Sequence, residues 1–132
     1  MAVPAAARCA VVIVNFRTPV LTCAAVRSAL HQIDRERDRV VVVDNASGDD
    51  SLAQLERASA AEGWGDAVVL VASPRNGGFA AGNNLGIARV ASERVLLLNS
   101  DAELRPGALD ALHRALDARP DVGLVGPRIV DR

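Results

Sequence analysis

Lysine and tyrosine are absent from the sequence, and Phe16, Phe79 and Trp64 carry its few aromatic rings. All 15 basic residues are arginine. Without lysine the chain can neither form a Schiff base with a carbonyl substrate nor supply the phosphate-binding lysine of a P-loop, so both classes of chemistry are excluded. The shortage of rings predicts a core packed from small aliphatic side chains.

Cysteine and long apolar runs are scarce as well. Cys9 and Cys23 lack the spacing of a CxxC motif or a zinc site, which predicts two buried thiols in a reducing compartment. The first residues show no signal peptide, and the apolar run after them is much shorter than the roughly 20 residues that cross a bilayer. We expect a cytoplasmic protein without a transmembrane segment, and peripheral attachment to the inner face of the membrane stays open.

The composition that remains is that of one folded domain. Half of the 132 residues are apolar and 23% are charged, which is the balance of a folded protein. We predict a single domain over residues 1–132, with its core at about residues 9–130. The formal net charge of −1 and the absence of a run of like charge predict no nucleic-acid partner.

Short β-branched or leucine-rich runs alternate with segments of helical periodicity. Strands are predicted at residues 9–14, 40–43, 68–72 and 94–98, with a candidate fifth at 122–125. Helices are predicted from a Thr18-Pro19 cap to about His31, from a capping box of Ser47 and Asp50 to Gly63, from Phe79 to Val90, and from Pro106 to Asp117. The charged residues 34–39 are expected to form a solvated connection.

This alternation predicts an α/β protein, namely a three-layer α/β/α sandwich around a mostly parallel, Rossmann-like sheet. Ligands of such sheets bind outside the carboxyl ends of the strands. The predicted strand ends carry polar segments at residues 15–17, 44–45, 73–78 and 99–101, where we expect the site. His31 and His113 have no partner at ligand spacing and are predicted to be helix-surface residues without a catalytic role.

Asp44 directly follows four valines, so a rigid strand fixes a carboxylate that can accept hydrogen bonds from a base imide or a ribose hydroxyl. A structural interpretation, in which Asp44 or Asn45 stabilises the turn before the next helix, also fits. The last predicted strand leads into Asn99-Ser100-Asp101, where a hard divalent cation would find oxygen ligands to share with phosphate oxygens. An ordinary turn is the alternative there, and Glu103 either joins such a metal or caps the next helix.

The segment SPRNGGFAAGNN, residues 73–84, is a glycine-rich loop that leads into a helix. Such a loop lets backbone amides approach a diphosphate closely. Gly77 and Gly78 are alternatively explained by positive φ angles alone. Asn83 and Asn84 are poor helix formers inside a predicted helix, which favours a ligand function.

Taken together, VVIVNF, VVVDNASGDDS, SPRNGGFAAGNNLGI and LLLNSDAEL resemble the inverting family 2 glycosyltransferases of GT-A fold, especially the rhamnosyltransferase-like members. The resemblance implies transfer of a sugar from a nucleoside diphosphate sugar to a glycan or lipid-linked acceptor. It implies Mg²⁺ or Mn²⁺ as cofactor, held by Asp101 with Asn99. The implied donor-binding residues are Asn15, Arg17, Thr18, Asp44, Asn45, Asn76, Gly77, Gly78, Asn83 and Ser100.

The sequence departs from this family in two respects. The DxD-type metal motif keeps only its last acid, Asp101. Members of the family also run on for about as much chain again, with the acceptor site and a carboxylate base, and no residue here corresponds to that base. We therefore expect either a truncated glycosyltransferase domain or a non-catalytic nucleotide-sugar-binding module. A receiver-like phosphoacceptor domain with Asp44 as acceptor would need a lysine.

Overall fold

The computed structural model describes residues 6–131 and has four strands and four α-helices in strict alternation over that range. They are β1 Ala7–Asn15, α1 Pro19–Leu30, β2 Asp38–Asp44, α2 Ser51–Glu62, β3 Val68–Ala72, α3 Phe79–Ile87, β4 Ser92–Leu97 and α4 Ala108–Ala118. A short 3₁₀ turn, Gly65–Ala67, precedes β3. The strands are all parallel in the order β3-β2-β1-β4. The predicted α/β class with a parallel sheet is confirmed.

The core lies on both faces of the two central strands because the middle residues of β1 and β2 are apolar. Val40–Val43 and Ala10–Ile13 are at most 1% exposed. On one face, alternate residues of these strands pack with Val26 of α1, Leu55 of α2 and Trp64. On the other face, the intervening valines pack with α3. Helices therefore cover both faces, as a three-layer arrangement requires.

Glycine allows α3 to lie directly on the sheet. A Cβ atom at Gly82 would lie 2.9 Å from Cγ1 of Val14, and one at Gly86 would lie 2.5 Å from Cγ1 of Val12. Real Cβ atoms do not approach other carbons so closely, so a side chain at either position would push the helix away from β1. Part of the glycine content of this segment thus serves helix packing.

Two predicted local features are wrong. Residues 122–125 form no strand, because Val122 N–H bonds Arg119 O in a turn and Leu124 is 88% exposed, with no strand beside it in the described range. The capping box is also absent. Asp50 is the N-cap residue of α2, while the Ser47 hydroxyl donates to the Asp44 carboxylate and accepts from the Arg17 amide instead of from a helix amide.

Residues 34–39 are not all solvated, as had been expected, because Asp38 begins β2 and is fully buried. Its carboxylate accepts two hydrogen bonds from Arg8, at 3.1 and 2.7 Å, and one from Asp34 N–H. Burial acts to raise the pKa of Asp38, but these bonds outweigh burial and hold the pKa below its usual value. No sequence pattern predicts this pairing, because the two residues are thirty positions apart.

His113 is the other buried polar side chain whose prediction fails. It is 8% exposed, and its Nδ1 lies 2.9 Å from Nη1 of Arg94 on β4. Since arginine is a donor only, Nδ1 is the acceptor and the ring is neutral. His31, in contrast, is exposed as predicted. His113 thus joins α4 to the sheet.

The two cysteines are buried free thiols, as predicted. Burial raises the pKa of Cys9 to about 11, which makes this thiol unreactive at neutral pH. Within residues 6–131, every helix is too short or too polar to cross a bilayer.

Candidate functional site

The polar segments after the strands meet at the carboxyl edge of the sheet. Asn15 and Asp44 are neighbours in the register of β1 and β2, and Asp44 is in register with Ala72, the last residue of β3. Ser100, which follows β4, lies within 3.3 Å of Thr18, which follows β1. The predicted convergence of these segments is therefore present in the fold.

Asp44 lies at the centre of this edge. Its Oδ1 accepts hydrogen bonds from Nδ2 of Asn15 at 2.8 Å and from Oγ of Ser47 at 2.6 Å. Its Oδ2 has one long contact, 3.4 Å from the Ser47 amide nitrogen. One carboxylate oxygen is thus saturated, whereas the other keeps the capacity to accept a further hydrogen bond.

Asn15 donates a hydrogen bond to Asp44 from the interior of the protein. It is fully buried, and its Oδ1 accepts a hydrogen bond of 2.8 Å from the hydroxyl of Thr22, a fully buried residue of α1. Thr18 Oγ1 lies 3.4 Å from the same oxygen. Asn15 therefore has no exposed surface in this structure. The direct donor contact that the family resemblance implied for this residue stays a prediction.

Arg17 and Ala46 border the Asp44 side chain with left-handed backbone conformations, at φ 58° and 55°. Arg17 is held by two bonds to Ser47, from its amide N–H to Oγ at 3.0 Å and from Nε to the carbonyl oxygen at 2.8 Å. Its guanidinium lies 5.1 Å from the ring centre of Phe16, which is 42% exposed. An accessible aromatic ring and a cation therefore stand beside the carboxylate.

Asn45 joins the glycine-rich loop to β2. Its Nδ2 donates to Oδ1 of Asn76 at 2.9 Å and to the carbonyl of Gly78 at 3.2 Å. Asn76 Oδ1 also accepts from the Gly78 amide, and Gly78 has φ 90°. Gly77 packs on Ala81 and has no positive φ. The loop that leads into α3 is thus fixed to the strand that carries Asp44.

Asn83 lies one turn inside α3 and is 4% exposed. Its Nδ2 donates to the carbonyl oxygen of Phe79 at 3.0 Å, which is a bond within its own helix. Asn84 is exposed. The structure therefore gives Asn83 a local structural contact, and its assignment to donor binding stays a prediction.

The segment after β4 supplies oxygen atoms at the surface. Asn99 and Asp101 are exposed, and Ser100 is half-buried against Thr18. Within residues 6–131 no group of three or more His, Cys, Asp or Glu side chains is arranged to hold a metal ion. The donor set of one carboxylate and one amide oxygen fits a hard divalent cation only if a ligand's oxygens complete its coordination.

Sequence reasoning missed two residues of this site. Ser47 was assigned to a helix cap, and Thr22 was assigned no function. The signals were weak because a hydroxyl three residues after an aspartate is typical of many turns. The hydroxyl of Thr22 meets Asn15 only once α1 has packed on β1.

A parallel sheet with polar groups along its carboxyl edge and an asparagine-glycine loop before a helix is the arrangement of α/β proteins that bind nucleotides. The model of glycosyl transferase family 2 matches residues 10–132. The chain belongs to this family. Among curated protein sequences, none matches it.

Solved glycosyltransferases of GT-A fold share this architecture. The mannosyltransferase PcManGT from Pyrobaculum calidifontis, in complex with GDP-Man and Mn²⁺, has a TM-score of 0.73 and 25% identity, over 86% of this chain and 33% of that chain. S. aureus TarS 1-349 in complex with UDP-GlcNAc has a TM-score of 0.70 and 19% identity, over 86% of this chain and 32% of the TarS chain. The same protein with UDP has a TM-score of 0.71 and 18% identity, over 86% and 33%. The chain thus spans about a third of the length of these proteins.

Proposed function

We propose that this chain forms the donor-binding part of a glycosyltransferase, which transfers a sugar from a nucleoside diphosphate sugar to a glycan or lipid-linked acceptor. The observation that carries the proposal is the Asp44 carboxylate, held at the carboxyl edge of the sheet with one oxygen free to accept, in a chain of glycosyl transferase family 2. The solved complexes of PcManGT with GDP-Man and of TarS with UDP-GlcNAc support a nucleotide-sugar ligand.

The nucleoside is proposed to bind beside Asp44. Its Oδ2 accepts from an imide N–H of the base or from a ribose hydroxyl. The exposed ring of Phe16 offers an apolar face on which a base can stack. Arg17 and Thr18 border this proposed nucleoside site, and the Arg17 guanidinium packs against the Phe16 ring.

The diphosphate is proposed to lie between the loop that begins at Asn76 and the segment that follows β4. Asn45 holds Asn76 and Gly78 in place, so the backbone at Gly77 and Gly78 is ordered before a ligand arrives. Asp101 and Asn99 would hold Mg²⁺ or Mn²⁺, with Ser100 beside them. Such an ion neutralises charge on the diphosphate leaving group.

We propose that the protein is cytoplasmic. Two buried free cysteines support this, because thiols stay reduced in that compartment. An acceptor linked to lipid would then be met at the inner face of the membrane. A family 2 member of the rhamnosyltransferase-like kind would use such an acceptor or a growing glycan.

Calorimetry with UDP and with GDP, each with and without Mn²⁺, tests the proposal. We expect Asp101→Ala to abolish the part of the affinity that depends on the metal. Asp44→Ala should weaken binding by about 10- to 100-fold with or without metal, since it removes a charged hydrogen-bond acceptor. Asp66→Ala, at an exposed carboxylate in the 3₁₀ turn, is the matched control. It should change the nucleotide affinity neither with nor without the metal.

Each variant has a result that contradicts its assignment. Unchanged affinity in Asp101→Ala would remove the metal function from this residue. If Asp44→Ala affects only the metal-dependent part of binding, the base or ribose assignment is wrong. A wild-type chain that binds neither nucleotide overturns the proposed function as a whole.

A further inference from the structure

The carboxylate proposed to bind the nucleoside is connected by hydrogen bonds to the interior of α1. Thr22 Oγ1 donates to Asn15 Oδ1 at 2.8 Å, and Asn15 Nδ2 donates to Asp44 Oδ1 at 2.8 Å. Thr22 and Asn15 are both 0% exposed, whereas Asp44 is 8% exposed. The chain of three side chains thus runs from the core to the surface of the site, and it ends on the group that meets the ligand.

The direction of the Asn15 amide is fixed by its surroundings. Two hydroxyls, those of Thr22 and Thr18, lie near one end of the amide, and the carboxylate of Asp44 lies near the other. A carboxylate needs a donor, so Nδ2 must face Asp44 and Oδ1 must face the threonines. In this orientation Asn15 Oδ1 needs a donor, and the Thr22 hydroxyl supplies it at the shorter of the two hydroxyl distances.

The same amide also reaches the second partner of the carboxylate. Asn15 Nδ2 lies 3.3 Å from Oγ of Ser47, and Ser47 donates to the same Asp44 oxygen at 2.6 Å. Two donors on Oδ1 fix the rotation of the carboxylate about its bond to Cβ. In this fixed orientation, Oδ2, which has only one long hydrogen bond, can accept a further hydrogen bond from a ligand.

We propose that Thr22 and Asn15 are positioning residues, which fix the orientation of Asp44 without touching the donor; this rests on the proposed function of Asp44. Thr22 does so from α1, one layer behind the site. A reversed Asn15 amide would place a carbonyl oxygen against the carboxylate and push Asp44 out of its rotamer. Nucleotide affinity therefore depends on a hydroxyl that no ligand reaches.

Thr22→Val tests this directly, because it replaces a hydroxyl by a methyl group of similar size and leaves the packing of α1 in place. We expect affinity for the nucleotide that binds the wild type, UDP or GDP with Mn²⁺, to fall about fivefold to tenfold. Thr22→Ser keeps the hydroxyl and should bind within about twofold of the wild type. In an Asp44→Ala background, Thr22→Val should change the affinity no further, since no carboxylate remains to be oriented.

Val26→Ala is the matched control. Val26 is fully buried one turn further along α1, so its truncation lowers the melting temperature but should leave the affinity of the folded protein unchanged. Unchanged affinity in Thr22→Val would overturn the proposal. An equal loss in the wild-type and Asp44→Ala backgrounds would do the same, because Thr22 would then act on the fold and not on Asp44.

A second measurement needs no ligand and separates this inference from the proposed function. In the wild type, the side-chain amide protons of Asn15 should exchange slowly in NMR, because they are buried and bonded to Asp44 and Ser47. Thr22→Val should speed their exchange, and unchanged exchange would contradict the proposed orientation. If neither nucleotide binds but this loss of protection is seen, the orientation of Asp44 by Thr22 stands and only the proposed function fails.

Discussion

At the scale of single residues, the left-handed backbone at Arg17 and Ala46 marks the edge of the site. A non-glycine residue in this region costs about 1–2 kcal/mol. The cost at Arg17 is offset by its two bonds to Ser47, whereas Ala46 has no side chain with which to bond. Ala46 lies in the turn that brings Ser47 back onto Asp44, and Arg17 bonds to Ser47 from the loop after β1. Two residues of the site therefore keep a backbone conformation that non-glycine residues disfavour.

Ala46→Gly should stabilise the protein by about 0.5–1 kcal/mol, because glycine adopts this φ without steric cost even though it loses more entropy on folding. Ala58→Gly, the same change inside α2, should destabilise it by about 1 kcal/mol. Urea unfolding of the two variants measures both values. A destabilising Ala46→Gly would show that the turn carries no strain.

Sequence reasoning at this scale selects residues where chemistry and position coincide. Asp44 and Asn45 were chosen because a polar pair ends a run of four valines, and their binding function stays a prediction. Thr22 lay outside the prediction because its partner is not its neighbour along the chain but Asn15, reached by packing one helix on one strand. Hydrogen bonds between elements depend on tertiary contacts, which single-residue propensities do not contain.

At the scale of elements, every predicted helix and four of the five predicted strands are present. Their ends differ by a few residues because hydrogen bonding to neighbours sets them. β1 starts earlier than predicted, since Ala7 pairs with Ser92, and β2 starts at Asp38, which pairs with Cys9. The fifth strand failed because a run of apolar residues forms a strand only beside another strand.

His113 predicts a pH dependence for the packing of α4. Burial, with the positive charges of Arg8 and Arg94, lowers its pKa, and Asp38 and Asp117 act in the opposite direction without cancelling this shift. A neutral buried histidine stabilises the fold above its unfolded pKa of about 6.5, and this stability is lost as the pH falls from there toward the lowered value. Protonation would also oppose the contact of Nδ1 with Arg94.

The melting temperature should therefore fall by about 5 °C as the pH drops from neutral through this range. His113→Gln keeps an acceptor for Arg94 without a titrating ring, so its melting temperature should depend less on pH. His31→Gln, at the exposed histidine, should follow the wild type. If the melting temperature of His113→Gln falls with pH as steeply as that of the wild type, groups other than His113 cause the pH effect.

At the scale of the whole molecule, the sheet is covered unevenly. Val95 and Leu97 of β4 pair with Ala10 and Val12 and project on the face occupied by α3. They are nevertheless 40% and 49% exposed, because α3 lies over β1 and β2. The edge of the sheet at β4 thus presents both apolar side chains and unpaired backbone groups in the described part of the chain.

We expect the chain to self-associate through this edge at high concentration. Leu97→Glu places a charge on the exposed face of β4 and should shift the protein toward monomer in sedimentation velocity. Ile129→Glu removes a side chain that is 91% exposed but lies outside the sheet, so it should leave association unchanged. Equal effects of the two substitutions would mean that association does not use β4.

The position of β1 in the middle of the sheet has a consequence for how the chain is made. β1 emerges first from the ribosome, and its two neighbours are β2, which follows soon after, and β4, which is synthesised last of the four. Until β4 is complete, one edge of β1 has no strand to pair with. β1 and β4 are far apart in sequence, so their pairing is slow. We expect the nascent chain to pass through a three-stranded intermediate, whose exposed apolar edge is a binding site for chaperones.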